Sequence, residues 1–530
     1  MSIQSKKIIK DPLYDYIIID RDICDQVIDN KHFQRLRRIE QTSMRCLYPS
    51  ARHDRFIHSL GVYHLAKIAI TALQNNGIIV VNERYSSEKS RFIPTKQAID
   101  NLNFSFEMAA LLHDVGHSPF SHTLEDYFKV IYTKNVNGGI DQKDILQVFL
   151  ERIKNLITDT QEENFDTFSA NVKVAQAAPH EIISCIVILD CFKQILDKLA
   201  ANRGLKIEYC FLTRCILGAL YTENSPTNDY KNCIIKLLNS SIDVDKLDYI
   251  SRDSQVSGFD NMMVDNMRLL NSLVLALFED RDGSCKLCLA FKKMATGVIQ
   301  NVVISRNSLY TWIYSHHKVK YESHLIHEAI RLISEHESNR LKIAKELYIS
   351  ELFSIDKIEK ELLCDDTIWN LFMQHIDIPE VAEIIERNSQ KAAVWKSFAE
   401  FQAYFDTGND NLPLGEFSVD AMRNSIEGDI TGFVNYLNNN PYGIQFDVVV
   451  NKTKLSHIGH NTIIIYINNN LYSFDSLFGG LYKSSSIPPF FYIYCKKSDK
   501  RILNQDNAAK KDELIKYIKQ YDGFRKTPNH

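Results

Sequence analysis

Ala110-Leu-Leu-His113-Asp114-Val-Gly116-His117-Ser-Pro119-Phe-Ser-His122 places three histidines and one carboxylate within ten residues. The apolar run before His113 predicts the end of a buried helix, and a His-Asp doublet there offers one nitrogen and one oxygen ligand to a metal. Gly116 and Pro119 break the helix, so His117 and His122 are released from helical spacing and turn back over the same site. Such doublets arise by chance, and a metal centre needs more ligands of the same kind. Two are at hand. His58 lies upstream in Arg55-Phe-Ile-His58-Ser-Leu-Gly61, at the start of an amphipathic helix. Asp245 lies downstream in Asp243-Val-Asp245-Lys246-Leu-Asp248-Tyr249-Ile-Ser-Arg252-Asp253.

Outward from this core, most of the first two-thirds reads as helix: Phe33–Glu40, Leu60–Gln74, Ser105–His113, His180–Leu199 and Thr213–Tyr221 repeat apolar residues at three- and four-residue steps. Breakers mark loops at Tyr48-Pro49-Ser50, Asn137-Gly138-Gly139 and Asn224-Ser-Pro226, and polar Lys134–Asp144 predicts an exposed connection. A second helical stretch runs from Ser323 to about Arg387, with charge mixed along its faces. Beyond it Phe446–Val450, Thr462–Ile467 and Phe490–Tyr494 are β-branched and aromatic. Asn468-Asn-Asn470 predicts a hairpin connection, Gly479-Gly480 and Pro488-Pro489 punctuate the chain after it, and Lys511–Tyr521 predicts a last helix. The expected division is 1–330, 331–435 and 436–530.

The bulk numbers set bounds. The chain has 530 residues, 45% hydrophobic and 24% charged, which is ordinary for a globular protein. A net charge of −4 and a pI near 6.5 argue against a dedicated nucleic-acid binder, although a local basic pocket is enough for a small polyanion. Eleven scattered cysteines with no apolar leader predict a reducing, cytoplasmic setting. The one CxxC, Cys285-Lys-Leu-Cys288, comes after Asp282-Gly283 and alternates into Leu289 and Phe291, so it predicts a strand after a turn rather than a zinc site. No apolar run approaches the roughly 20 residues of a membrane span.

The series His58, His113-Asp114, Asp245 resembles the H…HD…D signature of HD-superfamily phosphohydrolases. Phe33-Gln-Arg-Leu-Arg-Arg-Ile-Glu-Gln41, Arg55-Phe-Ile-His-Ser-Leu-Gly, His113-Asp-Val-Gly-His-Ser-Pro-Phe-Ser-His, His180-Glu-Ile-Ile-Ser184, Asp243-Val-Asp-Lys-Leu-Asp-Tyr and Arg306-Asn-Ser-Leu occur in order. Together they resemble the dNTP triphosphohydrolases, the group containing SAMHD and bacterial dGTPases, over residues 30–330, with an echo at Pro489-Phe-Phe-Tyr-Ile-Tyr494.

The resemblance implies a mainly α HD fold with a small α+β C-terminal lobe. It implies that His58, His113, Asp114 and Asp245 hold one divalent metal (Mn, Fe or Zn), with Mg accompanying the nucleotide. It makes His122 the general acid, supported by Glu125, and puts His117 and His180 on the α-phosphate. Arg55, Lys246 and Arg306 would neutralise the triphosphate. Tyr249 would pack on the deoxyribose, Asp253 and Gln41 would read the 3′ side, and Tyr314 would sit near sugar and base. Asp245, Tyr249 and Asp253 share a helix face, which suits that arrangement. The resemblance also implies a homo-oligomer, tetramer or hexamer, and a GTP or dNTP activator.

Taken singly, His58 or His180 is a satisfied core or surface histidine, Tyr249 or Tyr314 a packed aromatic, and Arg306 a solvated cation. The ordered set gives them their functional reading. His64 reads as structural. His316 and His317 come just after Tyr314, one of them a candidate neighbour of the nucleotide, and His457 and His460 favour a loop role. The competing function is an HD phosphodiesterase or nuclease acting on cyclic nucleotides or single-stranded nucleic acid, which needs the metal ligands but no triphosphate cradle. A non-catalytic nucleotide sensor is disfavoured, because none of the expected ligands or proton donors is missing.

Overall fold

Asp54 caps the helix on which the fold is built. Its side chain accepts the backbone N–H of Ile57 at 3.0 Å, satisfying a donor that a helix start leaves open. The capped helix, Arg55–Asn76, buries Leu60, Val62, Tyr63, Leu65, Ala66 and Ala69, residues that point in every direction around its axis. The computed structural model describes residues 5–134, 139–160, 163–259, 264–405, 425–426, 428–450, 462–482, 491–504 and 509–521. Among them this helix alone has the length and composition of a membrane span, which the sequence did not lead us to expect. With 72% of its apolar window buried inside the protein, the composition is that of a core helix.

The fold is mainly α with a small α+β part, and it divides into two compact units. The first comprises Met1–Arg306, Ser334–Leu371 and Ile458–Tyr482; the second comprises Asn307–Ile333, Phe372–His457 and Lys483–His530.

In the first unit, Arg55–Asn76 packs on Lys96–Leu112 and on Val244–Ser257. Thr95 caps the second of these helices by accepting from Ala98 N, and Asp243 caps the third by accepting from Lys246 N at 2.8 Å. The expected helix over His180–Leu199 is three pieces: Pro179–Val187, a π-helical turn Ile188–Phe192, and Lys193–Ala201. Pro179 starts it where a missing N–H costs nothing. Phe33–Glu40 is not one α-helix but a short turn, Lys31–Gln34, running into a 3₁₀ turn, Arg35–Arg38.

A five-stranded sheet has the order Asn470–Ser473, Ile464–Ile467, Cys285–Lys292, Leu273–Glu279, Ile78–Val80. The CxxC strand forms as expected and pairs antiparallel with Leu273–Glu279. Ile464–Ile467 pairs with Cys285–Lys292 in parallel, Ile465 opposite Phe291. Asn468 and Asn469 make the tight turn to Asn470–Ser473 with φ of 47° and 61°, the left-handed pair that a two-residue hairpin loop demands.

Two hairpins depart from expectation. Lys6–Asp11 and Asp15–Asp20 pair where no element was predicted. Within the expected loop, Ile140–Asp144 pairs with Val130–Lys134, the intervening 135–138 lying outside the described residues. Gly479-Gly480, expected to punctuate, lies inside the helix Phe474–Tyr482.

The second unit centres on a three-stranded antiparallel sheet, Lys391–Ala393, Phe491–Lys496, Asp447–Val450. Trp395 is fully buried among Phe401, Phe405 and Phe491, and its ring N–H donates to Phe491 O at 2.7 Å. The last helix is Ala509–Lys519. Pro488-Pro489, His457 and His460 lie outside the described residues.

Candidate metal centre and active site

Three helix ends converge on one point. The first turn of Arg55–Asn76 supplies His58, the chain leaving Lys96–Leu112 supplies His113 and Asp114, and the first turn of Val244–Ser257 supplies Asp245. His58 Nε2 is 3.0 Å from Asp245 Oδ1 and 3.8 Å from Asp114 Oδ2, and His113 Nε2 is 3.6 Å from Asp114 Oδ1 and 3.7 Å from Asp245 Oδ1. Both Nε2 atoms are buried without a hydrogen-bond partner. Orphaned buried nitrogens facing two carboxylates fit a divalent transition metal, whose bonds would satisfy all four groups. The outer nitrogens are fixed to present Nε2 inward: His113 Nδ1 donates to Ala110 O at 2.9 Å and His58 Nδ1 to Asp248 Oδ2 at 2.7 Å. Asp245, with a side chain 32% exposed, leaves the open side.

Electrostatics result from this crowding. Burial alone would raise the Asp114 carboxyl, but Arg55, then His113 and His58, hold it well below the usual carboxylate range. Burial opposes a charged His58 ring, yet the neighbouring Asp245 and Asp248 carboxylates outweigh that and push it up to about 10.

Behind His58 stands a buried network. Asp248 accepts from Arg252 through both oxygens (2.9 and 2.8 Å) and from Tyr14 Oη at 2.9 Å, and Arg252 donates to Asp11 at 3.1 Å. The N-terminal hairpin thereby reaches the outer sphere of the metal site. Gly61 makes room: a Cβ there would lie 1.9 Å from Asp248 Oδ1.

The second cluster stands beside the first. Glu125 Oε2 lies 3.1 Å from His122 Nδ1 and 2.8 Å from His180 Nδ1. Each ring therefore gives its Nδ1–H to one oxygen and keeps Nε2 available. His117 stacks on His180 with centroids 4.4 Å apart, and both its ring nitrogens are buried without a partner. Burial, then Arg55, His180 and His122, push His117 well below the usual range, so it is neutral. Burial disfavours charge on His180, but Glu125 outweighs it and raises this ring to about 9. Burial would raise Glu125, but His122 and His180 hold it well below the usual range. The result is a carboxylate–imidazolium pair with the exposed His122 ring at its rim (side chain 61% exposed).

Two backbone devices bring these rings together. A Cβ on Gly116 would lie 2.3 Å from Ser184 N, so only glycine allows the His113 loop to meet the helix carrying His180. Phe120 and Ser121 both have φ of 53°, a left-handed step that costs non-glycine residues about 1–3 kcal/mol each.

The remaining expected residues divide between the two units. Arg55 is buried and donates to Asp114 Oδ2 (2.6 Å), Ser121 Oγ (2.9 Å) and Gln41 O (3.2 Å). Lys246 donates to Asp243 at 2.6 Å. Asp253 is buried, its Oδ1 2.6 Å from His53 Nε2. Gln41 is buried with its Oε1 unpartnered, and its N–H donates to His53 O at 3.1 Å. Tyr249 is half-buried and Arg306 buried. Tyr314 belongs to the second unit, where its ring meets Tyr310 edge-on. His316 and His317 belong there too, their rings 4.2 Å apart. His64 packs its ring against Tyr14, as a structural role requires.

Sequence reasoning missed His53, Asp248 and Arg252. The Asp248–Arg252 pair carried a signal, since i, i+4 places both on one helix face. The pairing of His53 with Asp253 carried none.

No family model matches the chain. An HD domain-named protein of Acanthamoeba polyphaga mimivirus is 24% identical over 500 residues, 92% of this chain and 91% of the relative. The deoxynucleoside triphosphate triphosphohydrolase SAMHD1 of Homo sapiens is 26% identical over 328 residues, 59% of this chain and 42% of the relative. The fold is similar to that of a phosphohydrolase from Bacteroides thetaiotaomicron, with a TM-score of 0.52 at 18% identity over 93% of this chain and 100% of that one. The chain spans little more than half the length of other curated relatives that it matches.

Proposed function

We propose that this chain, a relative of an HD domain-containing protein and of SAMHD1, is an HD-superfamily phosphohydrolase that hydrolyses deoxynucleoside triphosphates to deoxynucleoside and inorganic triphosphate. The observation that carries the reading is the carboxylate–histidine cluster of Glu125, His122 and His180 beside the four-ligand cluster of His58, His113, Asp114 and Asp245. A proton donor next to a metal set is what cleavage of a phosphate ester requires.

His58, His113, Asp114 and Asp245 would hold a divalent metal, Mn, Fe or Zn, which would supply Lewis-acid polarisation of a phosphate oxygen and acidify water. His122, exposed and hydrogen-bonded to Glu125, gives its Nε2 proton to the 5′-oxygen as the bond from α-phosphorus to that oxygen breaks. The attacking water leaves its oxygen on the α-phosphorus, so the products are a deoxynucleoside and intact triphosphate. His180, charged through Glu125, donates to a non-bridging α-oxygen, and neutral His117 packs beneath it.

Arg306 and Lys246 serve the phosphates, Lys246 by moving off Asp243 at the helix edge, where its side chain is 23% exposed. Arg55 acts on them from its place on Asp114. Tyr249 lies against the deoxyribose, and Gln41 and Asp253 meet the 3′-hydroxyl. Mg accompanies the nucleotide. A homo-oligomer, tetramer or hexamer, and a GTP or dNTP activator complete the reading.

A phosphodiesterase acting on cyclic nucleotides or single-stranded nucleic acid is favoured by one observation: Arg55 and Lys246 already hold carboxylates, which leaves less cationic charge for a triphosphate. Purified protein incubated with Mn²⁺ and each dNTP, singly and mixed, with and without GTP, decides between them. Deoxynucleoside together with intact triphosphate on ion exchange supports the first reading. Full metal content with neither product moves the assignment to the second.

A further inference from the structure

The turn that carries His122 is held from far along the chain. Phe120 N–H donates to Asp365 Oδ1 at 2.7 Å, across 245 residues, and Glu40 N–H donates to Asp365 Oδ2 at 2.9 Å. Asp365 is buried and opens the helix Asp365–Gln374, yet the amides its oxygens take belong to other segments. One turn on, Trp369 meets the Phe120 ring edge-on at 5.5 Å. Just before it, Leu363 O accepts from Arg35 Nη1 at 2.6 Å, and the same guanidinium donates to Val115 O (2.8 Å) and His117 O (2.9 Å). Leu363, Asp365 and Trp369 therefore form a strap across the loop from Val115 to Ser121, all within the first unit.

We propose that Asp365 is a positioning residue for the reaction, holding the left-handed Phe120–Ser121 step so that His122 stands over the site; this rests on the reading of His122 as proton donor. The step is disfavoured for both residues and would relax without an outside hold. Inside the loop, Ser118 Oγ braces it by donating to Ser121 O. From outside, Asp365 holds the Phe120 amide and Arg55 holds Ser121 Oγ. Asp365 touches no metal ligand in this arrangement, so its effect falls on the proton donor and leaves metal capture intact. A helix-start aspartate that merely interacts with its own helix dipole accounts for neither foreign amide.

The test is Asp365→Asn in the full chain. The amide keeps one acceptor oxygen and turns an NH₂ toward the other backbone N–H. Three readouts are taken: Mn²⁺ content after dialysis, kcat and KM for dNTP hydrolysis, and deuterium uptake of a peptide covering 115–124. The expected result is a kcat lowered about tenfold or more with KM within about twofold, since a misplaced group costs rate rather than binding. Metal content stays at the wild-type level and uptake rises in that peptide. Trp369→Leu removes the strap's ring contact with Phe120 and should raise uptake in the same peptide.

Unchanged kcat and uptake in Asp365→Asn overturn the proposal. So does a rise in uptake throughout the chain with loss of metal, which makes Asp365 a support of the whole fold. If wild-type protein turns over no dNTP, the proton-donor reading falls, and the uptake arm, which needs no substrate, decides whether Asp365 holds the turn.

Discussion

Replacing Glu125 by Gln removes the charge that His122 and His180 share. His180 rests at about 9 against an ordinary value of 6.5, a difference of about 2.5 units. At about 1.4 kcal/mol per pH unit this is on the order of 3–4 kcal/mol of folding free energy linked to one proton. The discount for solvent is small, because the His180 and Glu125 side chains are only 13% and 17% exposed. The sign is fixed by the two directions. A histidine raised on folding stabilises fully below its unfolded value of 6.5, and that contribution is lost as pH rises through 9. A carboxylate lowered on folding stabilises above its unfolded value of 4.5, and its contribution is lost as pH falls toward the low folded value. The stability gap between wild type and Glu125→Gln is therefore widest between pH 4.5 and 6.5 and closes above 9. Thermal unfolding midpoints across pH 4.5–10 measure the gap, and the imidazole C2–H resonance tracks His180 directly. A gap independent of pH, or one that widens above 9, refutes the ion-pair account.

Asp248→Asn leaves His58 without its orienting carboxylate and should weaken metal affinity about 10- to 100-fold in a chelator competition, with the chain still folded. Gly116→Ala drives a methyl into the Ser184 amide and should destabilise the protein by about 1–3 kcal/mol or more, read as a lower denaturant midpoint. Metal must displace the proton from His58, which titrates near 10, while Asp114 and Asp245 are already ionised at neutral pH; apparent affinity should rise about tenfold per pH unit from 6 to 9 in metal titrations. His122→Ala should keep metal at wild-type stoichiometry and lower kcat about 10²- to 10⁴-fold; full activity would remove His122 from the proton-donor role.

The proposed four-ligand set is visible in the sequence because each of its residues sits at a helix start or end, where punctuation reveals the fold. Gly116 and Pro119 announce the turn after Asp114, and the structure adds Asp54 and Asp243 as the caps of the helices that carry His58 and Asp245. The partners that fix those ligands are hidden because they are distant: His53 and Asp253 are 200 residues apart, Tyr14 and Asp248 are 234 apart, and Phe120 and Asp365 are 245 apart. No spacing rule reaches across such gaps. The hairpin of Val130–Lys134 and Ile140–Asp144 escaped for another reason. Asp141 and Gln142 are exposed, so the strand lacks the apolar alternation that marks a half-buried sheet. Gly479-Gly480 misled in the opposite direction, because two glycines signal a turn while neighbouring Leu477, Phe478 and Leu481 continue the helix.

The parallel pairing of Ile464–Ile467 with Cys285–Lys292 has a consequence for synthesis. The sheet belongs to the unit that holds the proposed metal ligands, but two of its five strands lie at Ile464–Ile467 and Asn470–Ser473. Until those residues leave the ribosome, Cys285–Lys292 is an open edge that invites pairing with other chains. Any fragment stopping before residue 464 keeps every proposed metal ligand and still exposes that edge, so for this protein the shortest piece with the full proposed site is not the shortest piece that stays unaggregated.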